Sequence, residues 1–182
     1  MIMELKEAIM TRRTVRKFAD KAVSKETMTE IISLAAYVPS WKNSQTARWN
    51  VVTDRAVIKR IANEATMGFE HNKEIILSCP CLVIQSAVTG RCGYERDGSF
   101  STSQGSGWEM YDSGIAAQTF SLAAHDAGLG SVIMGIIDDK KIAEIIDLPD
   151  TERVTAAIAV GYPAEEPKCP PKKSVEEITR FI

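Results

Sequence analysis

From Trp108 to a glycine stop at Gly128 the chain reads as its longest helix, apolar on nearly every side through Ile115, Ala116, Ala117, Phe120, Leu122, Ala123 and Ala124. A helix without a polar face has to be covered on both sides, by a core or by a partner chain. The remaining elements are read against that demand. Pro80 to Val88, with Leu82, Val83 and Ile84 contiguous, predicts a fully buried strand, and Ala47 to Thr53 and Val154 to Tyr162 predict two more.

The other helices announce themselves by their caps and their apolar faces. Residues 3 to 11 carry Leu5, Ala8, Ile9 and Met10 on one side; Ser24 caps a helix to about Val38 through Met28, Ile31, Ile32, Ala35 and Ala36, and Pro39 stops it. Asp54 caps a helix to about Thr66, Asp138 caps a short one from Asp139 to Asp147, and Ser174-Val175-Glu176-Glu177 is a capping box for a last turn or two. Asp20 to Ser24 reads as a polar turn, Gly68 to Asn72 as a connection, and Pro163 to Pro171 as an irregular tail. Thr89 to Gly107, rich in Gly and Ser, is long for a connection in a compact domain, and such loops are either functional or disordered. Helices and strands alternate irregularly, and no G-x-G-x-x-G follows a strand, which argues against a dinucleotide-binding Rossmann domain. The expectation is a single α+β domain over 1–182, a length sufficient to bury a real core.

Charge and cysteine usage narrow the function. The net charge of −2 lacks the basic excess of a dedicated nucleic-acid binder, yet its distribution is uneven. Residues 1–60 hold 12 Lys+Arg against 6 Asp+Glu, and residues 61–182 hold 10 against 18, so a local anion site on an otherwise acidic protein is expected. Cys79, Cys81, Cys92 and Cys169 form no C-x-x-C pair, no apolar run reaches the roughly 18 residues of a membrane span, and the N-terminus lacks a signal-peptide core. This predicts a cytoplasmic protein with reduced thiols, Cys79 and Cys81 being buried at a strand start.

The basic excess is concentrated in Thr11-Arg12-Arg13-Thr14-Val15-Arg16-Lys17-Phe18. Guanidinium forks and threonine hydroxyls in this density suit phosphate or a ring carbonyl edge, although cations at a helix C-terminus also complement its dipole with no ligand at all. About twenty residues later comes a polar, amide-rich loop, Pro39-Ser40-Trp41-Lys42-Asn43-Ser44-Gln45. These two segments resemble the R-R-[ST]-x-R-x-[FY] and P-S-x-x-N-x-Q motifs of the nitroreductase-like FMN-dependent oxidoreductases. Asp112-x-Gly114-x-Ala116-x-Gln118, Gly128-Leu129-Gly130-Ser131 and Ala159-Val160-Gly161-Tyr162-Pro163 follow in that family's order.

The resemblance implies a mixed sheet flanked by helices, an intertwined homodimer, and FMN in each of two interfacial clefts. It implies that Arg12 and Thr14 hold phosphate and ribityl oxygens, that Arg13 contributes at the same end, and that Arg16 sits beside flavin N1, where a fixed cation stabilises the reduced ring. Pro39, Ser40, Asn43 and Gln45 fall on the ring's edge and face across the dimer interface, Asn43 being suited to the pyrimidine side because a carboxamide both donates and accepts. Ile133, Met134 and Gly135 align with the segment approaching N5, where a backbone N–H is the donor. Met134 replaces the Glu of several relatives and removes any acid there. Lys172 and Lys173 stand where the family carries a phosphate-binding cation, and are otherwise solvated.

The implied reaction moves hydride from NAD(P)H through N5 to a nitroaromatic, quinone or similar flat acceptor, and needs no nucleophile, general base or metal. His71 and His125 are accordingly read as non-catalytic, and Trp41, Trp108 and Phe100 as either pocket wall or packing. Two alternatives stay open: the same fold and flavin with another reaction, such as dehalogenation, flavin fragmentation or dehydrogenation, and a non-enzymatic nucleotide- or phosphate-binding module using the basic cluster.

Overall fold

The computed structural model describes residues 4–182; Met3, the first residue of the helix expected over 3–11, lies outside the described residues. The helices are α1 (Leu5–Thr11), α2 (Lys25–Ala35), α3 (Arg55–Glu64), α4 (Glu70–Ser78), α5 (Gly107–Asp126), α6 (Asp139–Ile145) and α7 (Val175–Ile178), and the strands β1 (Ala47–Val52), β2 (Cys81–Val88), β3 (Gly130–Met134) and β4 (Glu152–Gly161). The strands form one sheet in the order β1-β2-β4-β3, with all three pairings antiparallel. The fold is α+β, as expected. The sheet's mixed character is confined to a single parallel bridge, between Thr14 and Ser131.

Alternation along the central strands explains why both faces are covered. Leu82 and Ile84 of β2 and Ala157 and Ala159 of β4 join one core with Ile58, Ile61, Ile75, Ile76 and Ile142, from α3, α4 and α6. Cys81, Val83, Ile158 and Val160 point the other way, into a second core with Met28, Ile31, Ala117, Phe120 and Ala124 of α2 and α5. A strand buried on both faces reads as a continuous apolar run, which is how residues 82–84 read. Each fully buried Leu or Ile contributes roughly 1.5–3 kcal/mol, so the middle of the sheet anchors everything attached to its ends.

The predicted caps form. Ser24 accepts from Thr27 N at 3.1 Å, Asp54 from Ala56 N at 2.7 Å and Asp138 from Lys141 N at 2.9 Å, and Ser174 and Glu177 complete a capping box. The helix expected to reach Val38 ends three residues earlier, at Ala35. Two elements depart from the expectation. Gly68 to Asn72 is not a plain connection, because α4 begins at Glu70 with Phe69 as an N-cap that makes no side-chain bond. Its far end is held instead by Arg55, which donates to Leu77 O and Cys79 O, both at 2.6 Å. The five-residue β3 was read only as motif, its glycine start giving no strand signal.

Cys79 and Cys81 are buried at the start of β2, as predicted, and burial pushes their thiols up to about 12 and about 11. All four cysteines are free. No helix among the described residues is long and apolar enough to cross a membrane.

Candidate functional site

The arginine run leaves α1 and becomes an extended strap laid against the ends of β3 and β4. Val15 N donates to Ser131 O at 3.1 Å, Ala19 N to Tyr162 O at 2.8 Å, and Ala164 N to Lys17 O at 2.9 Å. Two glycines make this approach possible. A Cβ on Gly130 would lie 2.6 Å from Val15 Cβ, and one on Gly161 would lie 2.7 Å from the Pro80 ring and 3.0 Å from Phe18, closer than packed atoms tolerate. The Gly130 and Gly161 motifs are thus two halves of the seat for the strap.

Alternation along an extended segment puts Arg12, Thr14 and Arg16 on one side and Arg13 and Val15 on the other. The clefts separate Arg13 from Arg16, and Arg12 and Thr14 line neither. Arg13 and Val15 line an open cleft of about 920 Å³ with Thr11, His125, Gly130 and Glu165. Arg13 also donates to Met10 O at 2.7 Å and Arg12 O at 2.8 Å, so part of its guanidinium closes the end of α1. Glu165 Oε1 accepts from the backbone N–H of Arg16 (2.7 Å) and Lys17 (3.2 Å).

Thr11 donates its hydroxyl to Glu7 O at 2.7 Å, so at 2.8 Å from His125 Nε2 its oxygen accepts, which places the imidazole proton on Nε2. Burial, and then the charges of Arg12 and Arg13, hold His125 below its ordinary value. It is a neutral tie between α1 and α5.

Arg16 lies in a different cleft, of about 520 Å³, together with Ile133, Met134 and Gly135 from the end of β3. The opposite wall is Phe69, His71, Asn72 and Ile75 of α4 and its entry. Asn72 is buried and donates from Nδ2 to Ile136 O at 3.0 Å, fixing the first turn of α4 to the exit of β3. A Cβ on Gly135 would meet no atom of the chain, so the fold itself does not demand glycine there. The cleft offers an apolar floor, one exposed guanidinium, one buried carboxamide and an open backbone edge. Such a set suits a flat ring system with acceptors on one edge, and the volume falls within the roughly 300–1,000 Å³ of cofactor sites. Phe69, His71 and Asn72 were missed in the sequence because they belong to the unheralded α4.

The second predicted segment lies elsewhere. Ser40 and Gln45 line a separate cleft with Asp112 and Trp49, and share no residue with the Arg16 cleft. The loop is strained, with Lys42, Asn43 and Gln45 at φ of 46°, 55° and 48°. Non-glycine residues adopt this region at a cost of order 1–3 kcal/mol, sustained only where the surroundings impose it. Here the surroundings are Ser40 Oγ, which accepts from Gln45 N at 3.0 Å, and the buried Asp112, whose Oδ2 accepts from Trp41 N at 2.8 Å. Pro39, Asn43 and Gln45 are left exposed on the outside of the turn.

Asp112 also orders the long loop. Its Oδ2 lies 3.0 Å from Cys92 Sγ, and burial followed by this carboxylate pushes the thiol up to about 12, so the S–H donates. One turn earlier the buried Glu109 accepts from Gly90 N at 2.8 Å and pairs with Arg153 at 3.2 Å. Lys42 pairs with Glu95 at 3.1 Å, Trp41 packs on Trp108 at 4.8 Å, and Phe100 packs on Tyr94 at 4.9 Å. Residues 89–107 are therefore folded onto the Pro39–Gln45 loop, and the three aromatics pack this assembly without lining the Arg16 cleft.

Lys172 and Lys173 stand exposed on the tail before α7 and line neither the Arg13 nor the Arg16 cleft. One side of α5 remains uncovered too: Met110, Tyr111, Gly114 and Gln118 are exposed along it, and α1, which meets its far end at His125, exposes Leu5, Ile9 and Met10.

Comparison with known proteins places this geometry. The sequence model described as the Nitroreductase family matches residues 9–162. A protein named NADH dehydrogenase from Thermus thermophilus is 28% identical over 184 residues, covering 91% of this chain and 89% of its own. The FMN reductase [NAD(P)H] of Bacillus subtilis is 24% identical, covering 96% of this chain and 72% of its own. The crystal structure of a nitroreductase family protein from Clostridium novyi NT superposes with a TM-score of 0.77 at 28% identity, covering 92% of this chain and 89% of that one.

Proposed function

The chain belongs to the nitroreductase family, and on that premise we propose that it binds FMN and passes hydride from NAD(P)H to a nitroaromatic, quinone or similar flat acceptor. It is an oxidoreductase by its relatives; the flavin, the route through N5 and the acceptor class are our reading. The observation that carries it is the meeting of Arg16 with Met134, Gly135 and the buried Asn72 in one cleft, beside a strap whose even-numbered side chains share a face. FMN, when bound, supplies the two-electron chemistry.

The residues of the chain do the holding. Arg16 places a fixed positive charge at the ring's pyrimidine edge and so favours the reduced, anionic ring. Arg12 and Thr14, on the same side of the strap, reach ribityl and phosphate oxygens, while Arg13 is turned to the other cleft and serves the end of α1. Lys172 and Lys173 are the cations proposed for the outer phosphate oxygens. The apolar floor of Ile133 and Met134 excludes water from one ring face, and Gly135 leaves its backbone N–H approachable near N5.

A second copy of the chain completes the site in this reading. Pro39, Ser40, Asn43 and Gln45 lie in a different part of the protomer from Arg16, so both motifs reach one flavin only if two chains combine. The uncovered side of α5, together with the exposed apolar residues of α1, supports that homodimer. Four free thiols, three of them buried, fit a cytoplasmic setting.

Purified protein incubated with FMN is expected to turn yellow and retain one flavin per chain through gel filtration. Arg16→Ala weakens retention by about 1.5–3 kcal/mol, a ten- to hundredfold rise in Kd. Protein that stays colourless, or an Arg16→Ala variant with unchanged affinity, ends this assignment.

A further inference from the structure

We infer that His71 is the proton donor to the acceptor, an inference that rests on the flavin occupying the Arg16 cleft. The cleft is lined by Arg16, Phe69, His71, Asn72 and Ile75, and by residues 132–136. Arg16 and His71 are the ionisable side chains among them. A guanidinium does not release its proton near neutral pH, whereas imidazole both holds and gives one there. Met134 supplies nothing. Across the same cleft stands a histidine.

Its placement is firm. Phe69 meets the imidazole edge-on at 6.1 Å between ring centres. The next residue, Asn72, is buried and tied to Ile136 O, so the first turn of α4 cannot drift from the exit of β3 that the ring would overlie. His71 itself is exposed and lines the cleft. The charged groups around it are Arg16 from the strap and, on its own helix, Glu70, Lys73 and Glu74, of which Glu70 and Lys73 pair with each other at 3.2 Å. β3 presents no charge to it.

The chemistry balances with a quinone as oxidant. Two electrons arrive with a hydride from the reduced flavin at one carbonyl oxygen, the imidazolium N–H bond breaks, and an O–H bond forms at the other oxygen. The product is the hydroquinone, and the neutral imidazole takes its proton back from water. An acceptor that takes electrons without protons gains nothing from His71, and this separates the role from flavin binding.

The test uses the FMN-loaded protein, wild type and His71→Gln, reduced anaerobically and mixed in a stopped-flow instrument with duroquinone or with ferricyanide. Duroquinone has no free ring position with which to alkylate the exposed Cys169. His71→Gln is expected to slow reoxidation by duroquinone about 100-fold, the lower end of what a positioned acid contributes, and to leave reoxidation by ferricyanide unchanged. A readout independent of turnover comes from the chain's having only two histidines: adding duroquinone to the oxidised protein shifts the His71 imidazole resonance and leaves that of His125 in place. Equal slowing with both acceptors, an unchanged duroquinone rate, or an unmoved His71 resonance each overturns the inference while the flavin remains bound. Failure to bind flavin at all overturns the underlying assignment.

Discussion

The strap and the Pro39–Gln45 loop carry the two most distinctive segments of the chain, and they are held by opposite means. The strap is fixed through its backbone, paired to the ends of β3 and β4 and seated on two glycines, and it leaves Arg16 exposed. The loop has no sheet to lean on. It keeps a strained backbone because Ser40 Oγ accepts from Gln45 N and a buried carboxylate, Asp112, accepts from Trp41 N and binds Cys92 of the loop packed over it. A grip built on pairing and packing is spread over many atoms, while one built on two side-chain acceptors concentrates its cost there.

The largest effect expected from this contrast is at the strap's seat. Gly130→Ala puts a methyl into Val15 Cβ, which is no flexible side-chain end and cannot swing aside, and should cost about 3 kcal/mol in urea unfolding together with loss of FMN retention. Adding Val15→Ala should restore part of it. If Gly130→Ala alone is neutral, the strap is not seated by close packing.

Next in size, Asp112→Ala leaves the Trp41 N–H and the Cys92 thiol without their acceptor and should cost about 2 kcal/mol. Limited proteolysis should then cut within 89–107 while residues 12–19 stay protected. Cleavage of the strap in that variant would show that the two regions are not held independently.

The smallest effect is one of pH, at the point where α1 meets α5. His125 has its proton affinity lowered in the folded protein, chiefly by burial, so on acidification the unfolded chain takes the proton first. Stability is full above the ordinary value of 6.5 and declines as pH falls from there through the folded value. His125→Asn should remove that step from a plot of urea midpoint against pH, and a step that persists assigns it to another group.

Much of this architecture was legible in the chain because it is written in local chemistry. The helix caps at Ser24, Asp54, Asp138 and Ser174 are single residues with a short-range partner, and the doubly buried β2 opens on an uninterrupted apolar run from Cys81 to Ile84. What escaped is what depends on distant partners. α4 starts without a capping side chain and owes its end to Arg55, so neither it nor His71 and Asn72 could be read as part of a cleft. The arginine run was visible as a unit, yet its division, Arg13 to one cleft and Arg16 to another, follows from extended backbone that only the β3 and β4 ends impose. Asp112 stood in a recognisable motif, but nothing local linked it to Trp41, 71 residues away.

The strap also has a bearing on how the protein is made. Its long-range hydrogen-bond partners, Ser131, Tyr162, Ala164 and Glu165, all stand far along the chain from it. Contacts of such long sequence separation form late, after the entropy of closing the intervening chain has been overcome. Until residues 131–165 have been synthesised the nascent polypeptide therefore carries its arginines on an unpaired thread, and the ability to grip a ligand arrives only after them.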